Sequence, residues 1–512
     1  MYQRVFIFEL SGPTIDFLRE RRDSLPNFRR FLDQGAWGTL HGPLQPVAPQ
    51  SFATLLTGRN PGANGLFDFF KFPAGGYERV PFSTSLLRQP TFYQRLSDGG
   101  KRVGLINVPL TFPLPQVNGF VVSGDENIGD DFAVPADVCR RLRDDGYSVP
   151  FGASYAPGRE RQFTDRAMQV LQMRRRALRQ LFADGRWDFG MLTIHMYGEL
   201  LHAFWKFYDR QHPAYQPLQT VFEGRDPFLE PLVMIDEMLG EIVELAGPQG
   251  LVLFLGAWGH RIEHTRVHLN AVLEQDGWLR FRRDPRTLVK QLMFRTGITA
   301  ATAERLAHRL NLYKLFHYRL GRGQRAKMTG ATFLSYQDVD WSRTRAVAMG
   351  YLGQVYLNVQ GQRPLGTIPP DQYGVERDRL QRRLAELRHP VTGEEMVERV
   401  YAREEIYRGE ALAHAPDLVV EWKPGYSGDA GLSGAGRIIT PSPAHHSSDH
   451  WNQSVLLGQG AGVRPGELTA RLEDIAPTVL HGLGLSVPAD LDGKVLTALV
   501  GGGPLATPGP RG

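Results

Sequence analysis

Ser11 stands just past the short apolar run Val5-Phe6-Ile7-Phe8, and Glu9, two residues before it, shares its face if the run is a strand. A serine at a strand end is a candidate nucleophile, but none of its sequence neighbours is a general base. An unactivated serine attacks poorly. Ser51 and Thr54 follow Pro49, where a helix should begin. Ser51, one turn in, could turn its hydroxyl toward a pocket. Capping or helix packing is the plainer role for both hydroxyls. Asn107, after Val103-Gly104-Leu105-Ile106, could offer its amide to an anionic ligand or brace the turn before Pro109. Histidines are placed near several run ends: His195, His260, His264, His445 and His446 all read as loop residues there.

The elements that must position these groups follow from the runs themselves. Val5–Phe8, Val103–Ile106, Phe189–Thr193, Leu251–Leu255 and Val455–Leu457 are unbroken and apolar, and helical patterns follow them. That pattern predicts buried, mostly parallel strands in a doubly wound α/β sheet with helices on both faces. Chemistry in such sheets sits at the carboxyl ends of the strands. Between Trp278 and Met328 the chain carries thirteen Lys/Arg against two Asp/Glu in helix-permissive sequence. It reads as an inserted helical cap with a solvated basic face, or as a surface for anionic lipid headgroups or a polyanion. The expected division is a core over residues 1–270, a basic helical cap over 271–335, more core over 336–500 and a flexible tail over 501–512.

Bulk composition narrows the classes further. Hydrophobic residues make up 42% of the 512 and charged residues 22%, as in ordinary globular proteins. The net charge of +5 gives no reason to expect nucleic-acid binding. One cysteine, Cys139, excludes an intramolecular disulfide and a thiolate metal cluster. No run reaches the ~20 apolar residues a spanning helix needs, and the first residues do not read as a secretory signal. The expectation is a soluble, cytoplasmic protein whose only membrane contact would be weak and through 278–328.

Several segments, in order, resemble the type I phosphodiesterase/nucleotide pyrophosphatase branch of the alkaline phosphatase superfamily, in particular its bacterial cytoplasmic-type members. Leu10-Ser11-Gly12-Pro13-Thr14 is similar to that family's Leu-Asp-Gly-Ala-Thr. Pro46-Val47-Ala48-Pro49 with Leu55 to Gly62 resembles its nucleophile segment, and Asn107-Val108-Pro109-Leu110-Thr111-Phe112-Pro113 its Asn-Val-Pro-x-Thr-Tyr-Pro. His202-Ala203-Phe204-Trp205, His268-Leu269-Asn270, Asp340 to Arg345 and Asp474-Ile475-Ala476-Pro477-Thr478 also match in place. The series spans Val5 to Leu496. It implies the alkaline-phosphatase-like fold and a two-zinc site in which a Thr or Ser attacks phosphorus.

Carried over residue by residue, the resemblance implies that most of that site is gone. The Asp after the first strand is Ser11, the nucleophile position is Ala48, and the Asp-His pair after Leu255 falls on Ala257 and Trp258. The second metal's Asp-x-x-x-His becomes Gly198 and His202, and its last histidine is His450. Glu9, Glu199 and Asp449 are the acidic residues placed to complete a rebuilt single-metal site on His202 and His450. The other reading leaves both histidines as hydrogen-bonded framework, with no cofactor. Trp258 would fill the cavity of the lost imidazole or form a stacking wall for an aromatic ligand. Three functions follow: a non-hydrolytic protein binding a small molecule or protein, a repurposed enzyme with no metal or one zinc, or an ordinary zinc phosphodiesterase or phosphatase. The losses favour the first.

Overall fold

The computed structural model describes residues 1–512 apart from 72–74, 79, 82–86, 88, 126–128, 299–301, 303–330, 433–435 and 502–512. It divides into two compact units, Met1–Leu66 with Ser83–Ile262 and Ala444–Gly512, and Phe67–Phe82 with Glu263–Pro443. Among the described residues no helix is long and apolar enough to cross a membrane.

The first unit is built on nine strands: β1 (Arg4–Leu10), β2 (Ala36–His41), β3 (Val103–Val108), β4 (Gly119–Ser123), β5 (Ala133–Val134), β6 (Phe189–Ile194), β7 (Gly250–Leu255), β10 (Gln453–Gly460) and β11 (Gly466–Arg471). Two further strands, β8 (Gly259–His268) and β9 (Ser448–Trp451), lie outside that sheet. The sheet order is β11-β2-β10-β7-β1-β6-β3-β4-β5. Strands β7, β1, β6, β3 and β4 run parallel, whereas β10 is antiparallel to both its neighbours and β5 to β4. All five apolar runs of the sequence lie in these strands.

Period-two alternation sends the two sides of each strand into different cores. Phe6, Phe8 and Leu10 point to one face, where Phe6 meets Phe182 of α3 (Glu160–Phe182) at 5.1 Å between ring centroids. Gly190, opposite Phe6 in β6, leaves the room for that ring: a Cβ there would sit 2.4 Å from Phe6 Cδ2. Phe189, on the other face, meets Phe92 of α2 (Phe92–Asp98) at 5.2 Å. Helices thus cover both faces, as the apolar runs require. The central order β7-β1-β6 sets the ends Leu255, Leu10 and Ile194 side by side.

The second unit has its own four-stranded sheet, Ala346–Ala348, Gln354–Leu357, Leu418–Trp422 and Val397–Ala402 in that order. Its core joins Val420, Leu380 and Met396 to Trp278, Leu279 and Phe294. This departs from the division expected from sequence. Residues 336–443 belong to the second unit, and so do the described parts of 271–335. The short strands of 346–422 bury their apolar sides on Leu269–Leu279 instead of extending the large sheet. Most of the basic segment beyond residue 300, and the tail from 502, lie outside the described residues.

Candidate metal centre

Strand pairing, not a loop, gathers the imidazoles. β8 and β9 pair antiparallel, with His260 directly opposite His450. His202 comes from α4 (Met196–Tyr208), which begins two residues after β6 and buries Leu200, Leu201, Ala203 and Phe204. Its Nε2 lies 3.1 Å from Nε2 of His450. The His202 and His260 rings are 4.4 Å apart, and ligand atoms from His202, His260 and His450 all lie within 4.8 Å of one another. An ion ~2.0–2.1 Å from each nitrogen would set them roughly 3.3 Å apart, so small side-chain rotations close the set.

Ser448 decides which nitrogens face inward. Its backbone carbonyl, which can only accept, takes a hydrogen bond from His202 Nδ1 at 2.7 Å. Its hydroxyl donates its single proton to the Leu201 carbonyl at 2.9 Å, so it must accept from His260 Nδ1, also at 2.9 Å. Both rings therefore carry hydrogen on Nδ1 and turn an Nε2 lone pair to the cluster. His202 Nε2 has the His450 ring to accept from. His260 Nε2 is buried and has no hydrogen-bond partner. Such orphaned buried atoms are uncommon and call for an occupant.

Burial, the largest cause, pushes the imidazoles toward the neutral form that binds metal. It takes His202 down to about 4 and His450 to about 3, and His260 well below its ordinary value; neighbouring histidines push each the same way. Gly198 faces the same space. A Cβ on it would stand 3.6 Å from His260 Nε2 and 3.8 Å from Ser11 Cβ. The volume where the resemblance implied a carboxylate is the volume into which His260 points. Three imidazoles suit a borderline ion such as Zn²⁺.

The acidic residues singled out from sequence lie elsewhere. Glu199 is solvent-exposed on the first turn of α4. Asp449 sits half-buried beside the cluster, where its Oδ1 accepts the His450 N–H at 2.8 Å. Glu9 is fully buried and faces Ala257 and Ser11, away from the three imidazoles. There its Oε1 accepts from the Ala257 N–H at 3.1 Å and from the Ser11 hydroxyl at 3.0 Å. Ser11 Oγ also lies 3.4 Å from His195 Nδ1. With no cation beside it, burial raises the Glu9 carboxyl to about 8. Trp258, 1% exposed, wedges between Phe52 at 5.9 Å and His450 at 4.8 Å. Glu9, Ser11 and Trp258 fill the volume where the resemblance implied the nucleophile-side metal.

The remaining candidates lie outside the three-imidazole set. Ser11 is completely buried, and so are Ser51 and Thr54 on α1 (Ala48–Thr57), whose hydroxyls find no hydrogen-bond partner. Ala48 opens that helix without a side chain that could cap or attack. Asn107 sits in the left-handed region at φ +58°. Oriented to satisfy its neighbours, its amide donates to the Tyr147 hydroxyl at 2.5 Å, and its oxygen accepts from Arg174 Nε at 3.2 Å and Nη2 at 3.1 Å. That side chain is spent on bracing. His260 and His264 lie on β8, not in a loop, and His264 bonds Thr265. The His446 ring lies 4.3 Å from that of His202 and tilted 43° to it, while His445 is exposed. Sequence alone left His260 and Ser448 unremarked as partners, because only the β8–β9 register joins them.

Other matching segments hold the fold. Asp474 accepts the Arg471 and Lys494 N–H groups, and the Thr478 hydroxyl takes the Leu496 N–H. Asn270 bridges Ala348 and Ala430 in the second unit. A sequence model described as Type I phosphodiesterase / nucleotide pyrophosphatase matches residues 5–448. The chain belongs to this family. Type I phosphodiesterases typically use zinc, the ion that the three imidazoles suit. Phosphonoacetate hydrolase from Sinorhizobium meliloti 1021, solved with phosphonoacetate, is similar in fold: TM-score 0.57, 15% identity, 94% of this chain and 96% of that one. The same enzyme with phosphonoformate gives a TM-score of 0.55 at 15% identity over the same shares. No curated protein sequence matches the chain.

Proposed function

We propose that this chain is a single-metal member of its family, which holds one zinc-type ion on His202, His260 and His450 and has given up two-metal phosphoryl transfer. The observation that carries the reading is the buried, unpartnered Nε2 of His260, aimed into the space that Gly198 leaves open. When bound, an ion on three imidazoles keeps a fourth position for water or an anionic ligand and acts as a Lewis acid. Ser448 holds two of the imidazoles in the required tautomer, the role that supporting groups play around metals. Trp258 keeps a second ion out by filling its place. With Ala48 at the nucleophile position, no covalent phosphoryl intermediate forms there. Any hydrolysis at this site would have to use water.

The test is metal content and turnover on the purified full-length protein. One equivalent of zinc by elemental analysis is expected, removed in a His260→Ala variant that stays folded. Two equivalents, or rapid chelator-sensitive turnover of bis-phosphodiesters, would restore the two-metal reading. No binding on zinc titration would favour the second reading, a non-hydrolytic binding or regulatory protein. The His202–His450 contact at 3.1 Å speaks for that one, since it already serves as a hydrogen bond without an ion.

A further inference from the structure

Helix α5 (Pro285–Arg295) of the second unit is turned inside out. Its buried side is Thr287 and Phe294. A 3.6-residue period puts Leu288, Val289 and Leu292 on the opposite side, where they are 51%, 58% and 65% exposed. Ile298, just beyond, is 49% exposed. Four of the thirteen exposed large hydrophobics of the described chain therefore fall within eleven residues, and scattered singly they would mean nothing.

The same helix sets positive charge around that strip. Arg286 flanks it on one side and Arg295 on the other, and Arg282 and Arg283 lie just before the helix, all four exposed. Arg295 reaches Glu274 at 3.7 Å, but Arg282, Arg283 and Arg286 have no ion-pair partner among the described residues. The surrounding stretch, Trp278 to Met328, holds thirteen cations and two acids. Aliphatic side chains bordered by unpaired arginines at one end complement one surface in both respects: an apolar layer beneath anionic headgroups. A nucleic acid would match the charge and leave the leucines in water.

We infer that α5 docks this face onto an anionic lipid surface. Leu288, Val289 and Leu292 enter the headgroup boundary while Arg282, Arg283 and Arg286 meet the phosphates and carboxylates. Docking is independent of the metal centre. The test is co-sedimentation of the full-length protein with phosphatidylcholine vesicles with and without phosphatidylserine. Binding is expected only to the anionic vesicles, and added salt should weaken it. Arg282→Glu/Arg283→Glu/Arg286→Glu should cut partitioning by on the order of a hundredfold, at about fivefold per cation. Leu288→Ser/Leu292→Ser, exposed positions that leave the fold intact, should cut it at least about tenfold. Equal binding to neutral vesicles, or none to either, would overturn the inference. So would a serine variant that binds like the parent, since charge alone would then suffice and a soluble polyanion would be the better occupant.

Discussion

Replacing Glu9 by glutamine should stabilise this protein, and by an amount that depends on pH. The carboxyl is fully buried, and burial raises it from 4.5 to about 8. A group raised in the folded state contributes stability that is complete below its unfolded value and lost as pH climbs through the folded one. The window therefore runs from about pH 4.5 to about pH 8. At pH 7 the gap of 7 minus 4.5 is 2.5 units, which at ~1.4 kcal/mol each costs the parent on the order of 3 kcal/mol. Glutamine keeps an oxygen for the Ala257 N–H and an amide for Ser11, and it does not titrate. Urea unfolding of both proteins at a series of pH values isolates the effect, because the histidines titrate alike in each. The difference should be near zero at pH 4.5, reach a few kcal/mol by pH 7 and level off above pH 8. A glutamine variant less stable by a constant amount would refute the reasoning. It would mean that Glu9 is ionised in the native protein and that a cation shares its pocket.

Three other outcomes bear on the metal centre and its surroundings. Ser448→Ala should weaken zinc binding ~10–100-fold in competition with a chromophoric chelator while Ser448→Thr keeps most of it, since only the hydroxyl fixes His260. His260→Ala should lose more than that, and adding Gly198→Asp should recover part of it, because a carboxylate on that Cβ reaches the vacated space; a double variant no better than the single would contradict the geometry. Arg174→Leu should cost about 3 kcal/mol or more in urea unfolding, because the guanidinium satisfies the buried carbonyls of Ser148 and Val149 besides Asn107.

The fold was legible because strand identity is local. Val5–Phe8, Phe189–Thr193 and Leu251–Leu255 announce themselves as apolar runs, and parallel packing places their carboxyl ends together. Ala48, Gly198 and Ala257 are legible in the sequence as residues without the atoms that the resemblance implies at those positions. The three-imidazole cluster was not legible. His260 reaches the cluster through a register that links it to His450 across 190 positions, and Ser-Asp-His-Trp has no apolar pattern to mark it as a strand. The boundary of the second unit was hidden for a related reason. Strands of three to six residues, such as Ala346–Ala348, give too little alternation to reveal which sheet they join.

Strand β10, residues 453–460, lies between β2 and β7 near the middle of the large sheet, and β9 immediately precedes it. A ribosome making this chain has produced β1 to β8 before either strand exists. Until then β2 and β7 have no bridge, and the imidazoles of His202 and His260 have neither Ser448 to hold them nor His450 to face. β2 must wait for β10 before it can join the other strands of the sheet, a late and long-range closure that is slow by its nature. An ion held by all three imidazoles could enter only once β9 has been made, and a chain cut short before residue 448 would lack the third of them.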